Sequence, residues 1–228
     1  MTAQPVVAVI PVREGSTRIV GKNFRPFGKA PTLLHHKIGH AKAAGCFSHV
    51  YVSSDSDRAK KIAEECGVEF LPRDPLMCTG GPRWDEVVVS IMQTVPDNPH
   101  VAWTLVTGPL FGNYADAVKT YLANLDRFDS LVGVKKIQEY LLDEAGRPLF
   151  FGFGRWHPYT NEIKPLFSIN DAIFIARKSD QIQWRYWFGP KPFLYVMNSL
   201  ESIDINFPED LEMAEAARIY MERKQSEK

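Results

Sequence analysis

The sequence is poor in cysteine and has no excess charge of either sign and no long apolar run. Its three cysteines lie far apart without a C-x-x-C pair, which argues against a disulfide framework or a thiolate zinc site. Lys and Arg number 27, as do Asp and Glu, so a generally basic, polyanion-binding protein is excluded. No run approaches the ~18 apolar residues of a membrane span, and residues 1–5 show no secretory signal. We therefore expect a cytoplasmic protein without nucleic-acid or membrane partners.

What is present is enough apolar surface for a sizeable core. The chain of 228 residues is 45% hydrophobic and 12% aromatic, which fits one large domain, or one domain with a lobe. Short apolar runs alternate with helical patterns over the first two-thirds. We predict strands at 6–12, 49–53, 68–71, 101–106, 130–134, 170–176 and 193–197, and helices at 32–44, 56–66, 83–95, 113–125 and 208–224.

This alternation predicts an α/β fold with right-handed βαβ units and a parallel, doubly wound sheet. Ligands of such sheets bind beyond the carboxyl ends of the strands. The loops after Val12, Ser53 and Val106 should therefore share one face. Residues 135–168 break the pattern with aromatics, prolines and glycines, and we interpret them as an inserted lobe of irregular β-hairpins.

The loop after the first strand carries an unusual concentration of positive charge. Its four cations are Arg13, Arg18, Lys22 and Arg25. Two glycines and Ser16 add backbone N–H groups that can approach a ligand closely, and a polyphosphate needs both features. The loop is not a Walker A motif, because Asn23 follows Lys22 where Ser or Thr is required. A solvated basic loop is the alternative interpretation.

The segment IPVREGSTRIVGKN resembles the N-terminal signature of the acylneuraminate cytidylyltransferases and the CMP-3-deoxy-octulosonate synthetases, I-P-A-R-x-G-S-K-x-x-x-x-K-N. The matching positions are Ile10, Pro11, Arg13, Gly15, Ser16, Lys22 and Asn23. Later matches are VYVSSD at 50–55, Arg73, Thr107 with Pro109 and Leu110, NDAIF at 170–174 (family pattern N-G-A-I-Y) and ESIDI at 201–205 (family pattern E-S-I-D-I-D). These similarities are collinear over nearly the whole chain.

The resemblance implies a single cytidylyltransferase domain over 1–228, a Rossmann-like nucleotidyltransferase sheet with a β-rich dimerisation lobe at 135–168. It implies CMP transfer from CTP to an oxygen of an anionic acceptor, with Mg²⁺ as cofactor, and a homodimer whose lobe helps to complete the neighbour's acceptor pocket. Carried over by position, the nucleotide-binding residues are Arg13, Gly15, Ser16, Lys22, Asn23, Arg73 and Thr107. Arg13, Lys22 and Asp204 would be catalytic, and Asp204 with Asn206 would hold the metal.

The sequence departs from the family pattern at four motif positions. Thr17 replaces a lysine, Asn206 an aspartate, Leu105 a glutamine and Phe111 an arginine. Leu105 cannot hydrogen-bond a sugar substituent, which disfavours N-acetylneuraminate itself. Another 3-deoxy-ulosonic acid and a phosphonate acceptor are both compatible with this change. Thr17 and Asn206 also motivate a third alternative, a non-catalytic nucleotide-binding homologue.

An anionic acceptor needs further cations and hydrogen-bond donors. The candidate acceptor-binding residues are Lys135, Lys136, Arg155, His157, Tyr159 and Asn170. Packing within the lobe, or a dimer surface, is the alternative role for the RWHPY segment.

Overall fold

A seven-stranded sheet lies at the centre of the molecule in the computed structural model, which describes residues 5–16 and 18–227. The strands are β1 (Val6–Pro11), β2 (Val50–Ser54), β3 (Glu69–Pro72), β4 (His100–Trp103), β5 (Ser130–Ile137), β6 (Leu141–Leu142), β7 (Pro148–Leu149), β8 (Leu166–Arg177) and β9 (Pro192–Met197). The α-helices are α1 (Leu33–Ala43), α2 (Asp57–Glu65), α3 (Trp84–Thr94), α4 (Tyr114–Ala123), α5 (Lys178–Trp184) and α6 (Pro208–Ser226).

The main sheet has the order β3-β2-β1-β4-β8-β5-β9. Strands β1 to β4 are mutually parallel, as predicted. The prediction of a wholly parallel sheet is wrong for β8, which pairs antiparallel with both β4 and β5. Antiparallel neighbours need no crossover helix, so the chain returns from β5 to β8 through an irregular segment. No sequence period distinguishes this return from a crossover.

Helices cover both faces of the sheet, and the burial of β1 follows from this. Val7 and Val9 pack on one face with Ile91 of α3, while Ile10 packs on the opposite face with Ile38 of α1. A strand buried on both faces is expected to be apolar throughout. The VVAVI run therefore reflects the central position of β1.

The predicted lobe is shorter and less regular than the sequence suggested. Strand β5 runs on to Ile137 and β8 begins at Leu166, so only residues 138–165 lie between them. The sole β-pairing described within this segment joins the two-residue strands β6 and β7. Two 3₁₀ turns, Gly154–Trp156 and Thr160–Glu162, follow. We call residues 138–165 the inserted segment.

The seven-residue helix α5 was not among the helices predicted from the sequence. Within the described ranges, no helix is long and apolar enough to cross a membrane.

Gly108, in the loop after β4, lies against β8. A Cβ atom added at Gly108 would be 2.9 Å from the backbone Cα of Ala172. By contrast, Gly39 within α1 has no neighbour within 4 Å of such an atom. Close backbone approach therefore requires glycine at position 108 but not at position 39.

We expect Gly108→Ala to destabilise the protein by about 1–3 kcal/mol, because β8 or the loop must move to accept the methyl group. The matched control Gly39→Ala should stabilise it by about 0.5–1 kcal/mol, since alanine favours the helix. Urea denaturation measures both. Equal midpoints for the two variants would contradict the close packing at Gly108.

Candidate active site

A cleft opens at the carboxyl ends of β1 and β4, where the sequence predicted a ligand site. Its volume is about 250 Å³. It is lined by Pro11, Val12, Arg13, Ser16, Arg18, Ile19, Lys22, Asn23, Arg73, Trp84, Leu105, Val106, Thr107, Asp171 and Asn206. Six of the seven predicted nucleotide-binding residues are among them.

Three of the four loop cations line this cleft. Arg13 is exposed and donates to the carbonyl of Thr79 at 3.3 Å. Arg18 is also exposed, with its guanidinium 5.1 Å from the centre of the Phe207 ring. Arg25 points elsewhere, since its Nε donates to Val20 O at 3.2 Å. Positive charge therefore converges on the cleft from Arg13, Arg18 and Lys22.

Two predicted nucleotide-binding residues fix the backbone of the loop after β1. The Asn23 amide donates to the carbonyl of Arg13 at 2.9 Å. The guanidinium of Arg73 donates to the carbonyl of Val12 and, at 2.8 Å, to the sulfur of Cys78. Asn23 and Arg73 are both buried, so their donors satisfy carbonyls that would otherwise lack partners. They position the cationic loop as well as line the cleft.

Of the remaining residues in the N-terminal signature, one lines the cleft and another does not. Ser16 lines the cleft, but its backbone N–H already donates to Glu14 O at 2.8 Å. Gly15 is exposed and does not line the cleft. Thr17, where the family pattern has a lysine, lies outside the described residues.

Lys22 joins the loop after β1 to the segment that precedes α6. Its Nζ donates to Ile205 O at 2.6 Å. Burial lowers the pKa of Lys22, and the charges of Arg18 and Arg13 act in the same direction. The charge of Asp204 opposes this shift. Lys22 therefore lies close enough to the loop arginines and to the carboxylates described next to interact electrostatically with both.

Two carboxylates, Asp204 and Asp171, also interact electrostatically with Lys22. Asp204 accepts a hydrogen bond at Oδ2 from the Asn206 amide nitrogen, while its buried Oδ1 has no partner in the described chain. Burial raises the pKa of Asp171 to about 6, and the charge of Asp204 adds to the effect. Sequence reasoning missed Asp171, although it stands at the glycine of the N-G-A-I-Y pattern.

The carboxylate pair fits a hard divalent cation. The described residues contain no group of three or more His, Cys, Asp or Glu side chains that could hold a metal alone. Mg²⁺ is usually bound by one or two carboxylates together with substrate phosphates. The unpartnered Asp204 Oδ1 is the kind of oxygen such an ion would satisfy.

Part of the cleft wall is apolar. Leu105 and Trp84 line it, and the Trp84 ring packs on that of Trp187 with centroids 4.6 Å apart. At the base, Thr107 O accepts a hydrogen bond from Ile205 N at 2.8 Å. Sequence reasoning also missed Trp84, because no motif marks the first residue of α3 as part of a site.

None of the six predicted acceptor-binding residues lines the cleft of its own chain. Lys135 and Lys136 are exposed on β5, and Tyr159 is exposed in the inserted segment. Arg155 stacks on Trp156 at 5.6 Å, and His157 packs on Tyr140 with ring centroids 4.4 Å apart.

Asn170 has a structural environment instead. Its amide nitrogen donates to Ser202 O at 2.8 Å, and its carbonyl accepts from Ala172 N at 3.0 Å. The residue is buried. Its hydrogen bonds tie β8 to the turn that leads to Asp204.

Beneath the cleft, Lys37 of α1 is almost fully buried. Its Nζ donates to Gly108 O at 2.6 Å and to the Tyr114 hydroxyl at 2.8 Å. Burial lowers the pKa of Lys37 to about 7, although the charge of Asp204 opposes the shift. These bonds hold the loop after β4 against α1 and α4.

The sequence model of a protein family described as Cytidylyltransferase matches residues 7–145 of the chain. The chain belongs to the cytidylyltransferase family. The recognition based on the IPVREGSTRIVGKN segment is therefore confirmed.

Named relatives of this cytidylyltransferase-family chain include sugar-acid enzymes. It is 28% identical over 216 residues to N-acylneuraminate cytidylyltransferase of Escherichia coli, covering 92% of the chain and 51% of that relative. The chain thus spans about half the length of that relative. It is 24% identical over 237 residues to CMP-N,N'-diacetyllegionaminic acid synthase of Legionella pneumophila, and the match covers 92% of this chain and 94% of that relative.

A solved structure supports the fold. CMP:2-keto-3-deoxy-manno-octonic acid synthetase complexed with CTP matches with a TM-score of 0.67 at 14% identity, covering 95% of this chain and 99% of that one. The predicted Rossmann-like nucleotidyltransferase fold is thereby confirmed.

Lys37→Met should change how stability depends on pH. The folded pKa of Lys37, about 7, lies below the unfolded value of about 10.4. Between these values the unfolded chain binds more protons, so this residue makes wild-type stability rise with pH, by up to about 1.4 kcal/mol per pH unit. A methionine side chain cannot titrate, so the wild type should gain stability over the variant from about pH 7 to pH 9.

The measurement is the free energy of unfolding in urea at several pH values, with exposed Lys29→Met as the control. The Lys29 variant should follow the wild-type profile. A Lys37→Met profile parallel to that of the wild type would contradict the lowered pKa.

Proposed function

We propose that this chain is a CTP-dependent cytidylyltransferase that transfers CMP to an oxygen of an anionic sugar acid and releases pyrophosphate. The observation that carries the proposal is the cleft at the end of β1. There Arg13, Arg18 and Lys22 line the cleft together with Asp171, and Lys22 interacts electrostatically with both Asp171 and Asp204. Family membership and the sugar-acid names of the relatives support the same reaction class.

The cations suit the chemistry of phosphoryl-type transfer. An acceptor oxygen attacks the α-phosphorus of CTP, the bond to the bridging oxygen breaks, and pyrophosphate leaves with the electron pair. Such reactions depend on positioning and charge stabilisation more than on covalent catalysis. Arg13 and Arg18 have exposed guanidinium groups that can each bind phosphate oxygens. We assign Lys22 to the same triphosphate.

We also propose a Mg²⁺ cofactor, held by Asp204 with Asn206 beside it. When bound, it would supply positive charge to the phosphate oxygens. Asn206 keeps Asp204 oriented through its amide hydrogen bond. Lys22, fixed on Ile205 O at 2.6 Å, holds this segment against the loop after β1.

A sugar acid is favoured over the phosphonate alternative, because the named relatives act on sugar acids. Leu105 and Trp84 give this cleft an apolar wall. That wall contributes packing rather than hydrogen bonds, so polar groups of the acceptor must be recognised elsewhere. The prediction names the class of the acceptor, a sugar acid, and no particular compound.

The function is tested by pyrophosphate release from CTP and Mg²⁺ with a panel of nonulosonates, octulosonates and phosphonates. We expect turnover with at least one sugar acid. Arg13→Ala should reduce kcat/KM by about 10² or more, as loss of a group that stabilises transition-state charge does.

Arg25→Ala is the matched control, because Arg25 belongs to the same loop but not to the cleft lining. It should stay within about threefold of wild type, as expected for loss of an exposed hydrogen bond. Measurable CTP binding without turnover on any acceptor would favour the non-catalytic alternative.

We further propose that the chain forms a homodimer through the inserted segment, so that Arg155, His157 and Tyr159 approach the neighbour's cleft. Exposed apolar side chains support this: Trp156 is 77% and Tyr159 78% exposed. Isolated monomers rarely expose so many large apolar groups together. A cytoplasmic location stays a prediction from the sequence.

Light scattering after gel filtration should give the mass of two chains. Trp156→Ser should weaken the dimer, whereas Leu76→Ser, which removes an exposed apolar side chain outside the segment, should not. A monomer at micromolar concentration would contradict this proposal.

A further inference from the structure

Among the described residues, Asp171 is the one acidic side chain that lines the cleft, and the resemblance gives it no role. We propose that Asp171 is a ligand of the divalent cation, paired with Asp204, and that Asn206 orients Asp204. The inference rests on the proposed function, because the cation is the one that accompanies the nucleotide triphosphate.

The segments that carry Asp171 and Asp204 are held by hydrogen bonds to backbone carbonyls, one of them from the Asn170 side chain. The neighbouring Asn170 is tied to Ser202 O at 2.8 Å. Ile205 N donates to Thr107 O at 2.8 Å. These bonds fix β8, the loop after β4 and the segment before α6 around one point. The two carboxylates come from different elements, yet they lie close enough to interact electrostatically.

The oxygens at this point are available to a ligand. Within residues 5–16 and 18–227, the Asp171 carboxylate makes no hydrogen bond or ion pair, although it interacts electrostatically with Asp204 and Lys22. One oxygen of Asp204 is buried without a partner. Buried polar atoms are normally satisfied, so the unsatisfied oxygen points to a missing ligand.

The ammonium group of the nearby Lys22 does not take the place of a divalent cation. Lys22 Nζ donates to Ile205 O, and no ion pair to Asp171 or Asp204 occurs in the described chain. Two partly buried carboxylates repel one another unless positive charge lies between them. A divalent cation bridging them and the phosphates would supply that charge.

The sequence changes are consistent with a relocated carboxylate. Relative to the family pattern, this chain has an amide at 206 where an aspartate is expected, and an aspartate at 171 where a glycine is expected. The carboxylate lost from the segment before α6 is thus matched by one gained on β8. The site keeps two carboxylates.

Direct binding of Mn²⁺ tests the assignment without requiring turnover. Free Mn²⁺ is measured by electron paramagnetic resonance during titration of the full chain, with and without CTP. We expect Asp171→Asn to weaken Mn²⁺ binding about tenfold or more, as loss of a charged ligand does. Asp126→Asn, an exposed aspartate outside the cleft, is the control and should match wild type.

A relocation variant sharpens the test. Adding Asn206→Asp to Asp171→Asn returns a carboxylate to the segment before α6 and should recover most of the lost Mn²⁺ affinity. If Asp171→Asn does not fold, Asp171→Gly alone and combined with Asn206→Asp answers the same question, since glycine is the pattern's own residue.

Unchanged Mn²⁺ affinity in the position-171 variant would overturn the assignment. So would a loss of CTP affinity at constant Mn²⁺ affinity, which would make Asp171 an electrostatic partner of Lys22 only. Asp171-dependent Mn²⁺ binding in a chain that turns over no acceptor would support the metal assignment while refuting the proposed activity. Turnover together with Mn²⁺ binding that does not depend on Asp171 would support the proposed activity and refute the metal assignment.

Discussion

The side chains of the cationic loop repel one another, so the loop can present them at one place only if other residues hold its backbone. Arg13, Arg18 and Lys22 lie at one sheet edge, where like charges oppose close approach. The loop is fixed from beneath by Asn23 and Arg73, which bind the carbonyls of Arg13 and Val12. Exposed guanidinium groups on a fixed backbone are suited to a polyanion, because little reorganisation is needed on binding.

The same cleft balances this charge across a short distance. Lys22 interacts electrostatically with the arginines and with Asp171 and Asp204, and burial lowers its pKa. A triphosphate with its cation would satisfy both sides at once: phosphate oxygens on the arginines, and the metal on the carboxylates. The overall net charge of zero therefore averages over two opposed local fields.

Prediction from sequence succeeded where function resides in contiguous residues. The loop after β1 and the first four parallel strands follow from local pattern, since a buried strand and a cationic turn are each encoded within a few residues. It failed for β8, whose antiparallel direction depends on pairing with β5, well before it in the chain. It could not separate Arg25 from the other loop cations, because periodicity cannot say which way a loop side chain points.

The pairing of Asp171 with Asp204 could not be predicted from local sequence patterns either. The motif around Asp171 carries no sign of a ligand, and the proximity of Asp171 to Asp204 arises from contacts between β8 and the turn after β9. The acceptor-binding role of the candidates in the inserted segment stays a prediction. Their chemistry was suitable, yet the fold of one chain keeps Arg155, His157 and Tyr159 out of the cleft.

By itself, the sequence determined the family, the α/β class and the loop that concentrates positive charge, because each is written in adjacent residues. Only the tertiary structure decided which cations line the cleft, which side chains hold the loop, and that Asp171 lies close enough to Asp204 to interact electrostatically. Those outcomes depend on non-local pairing and burial, which bring together residues that no local period relates.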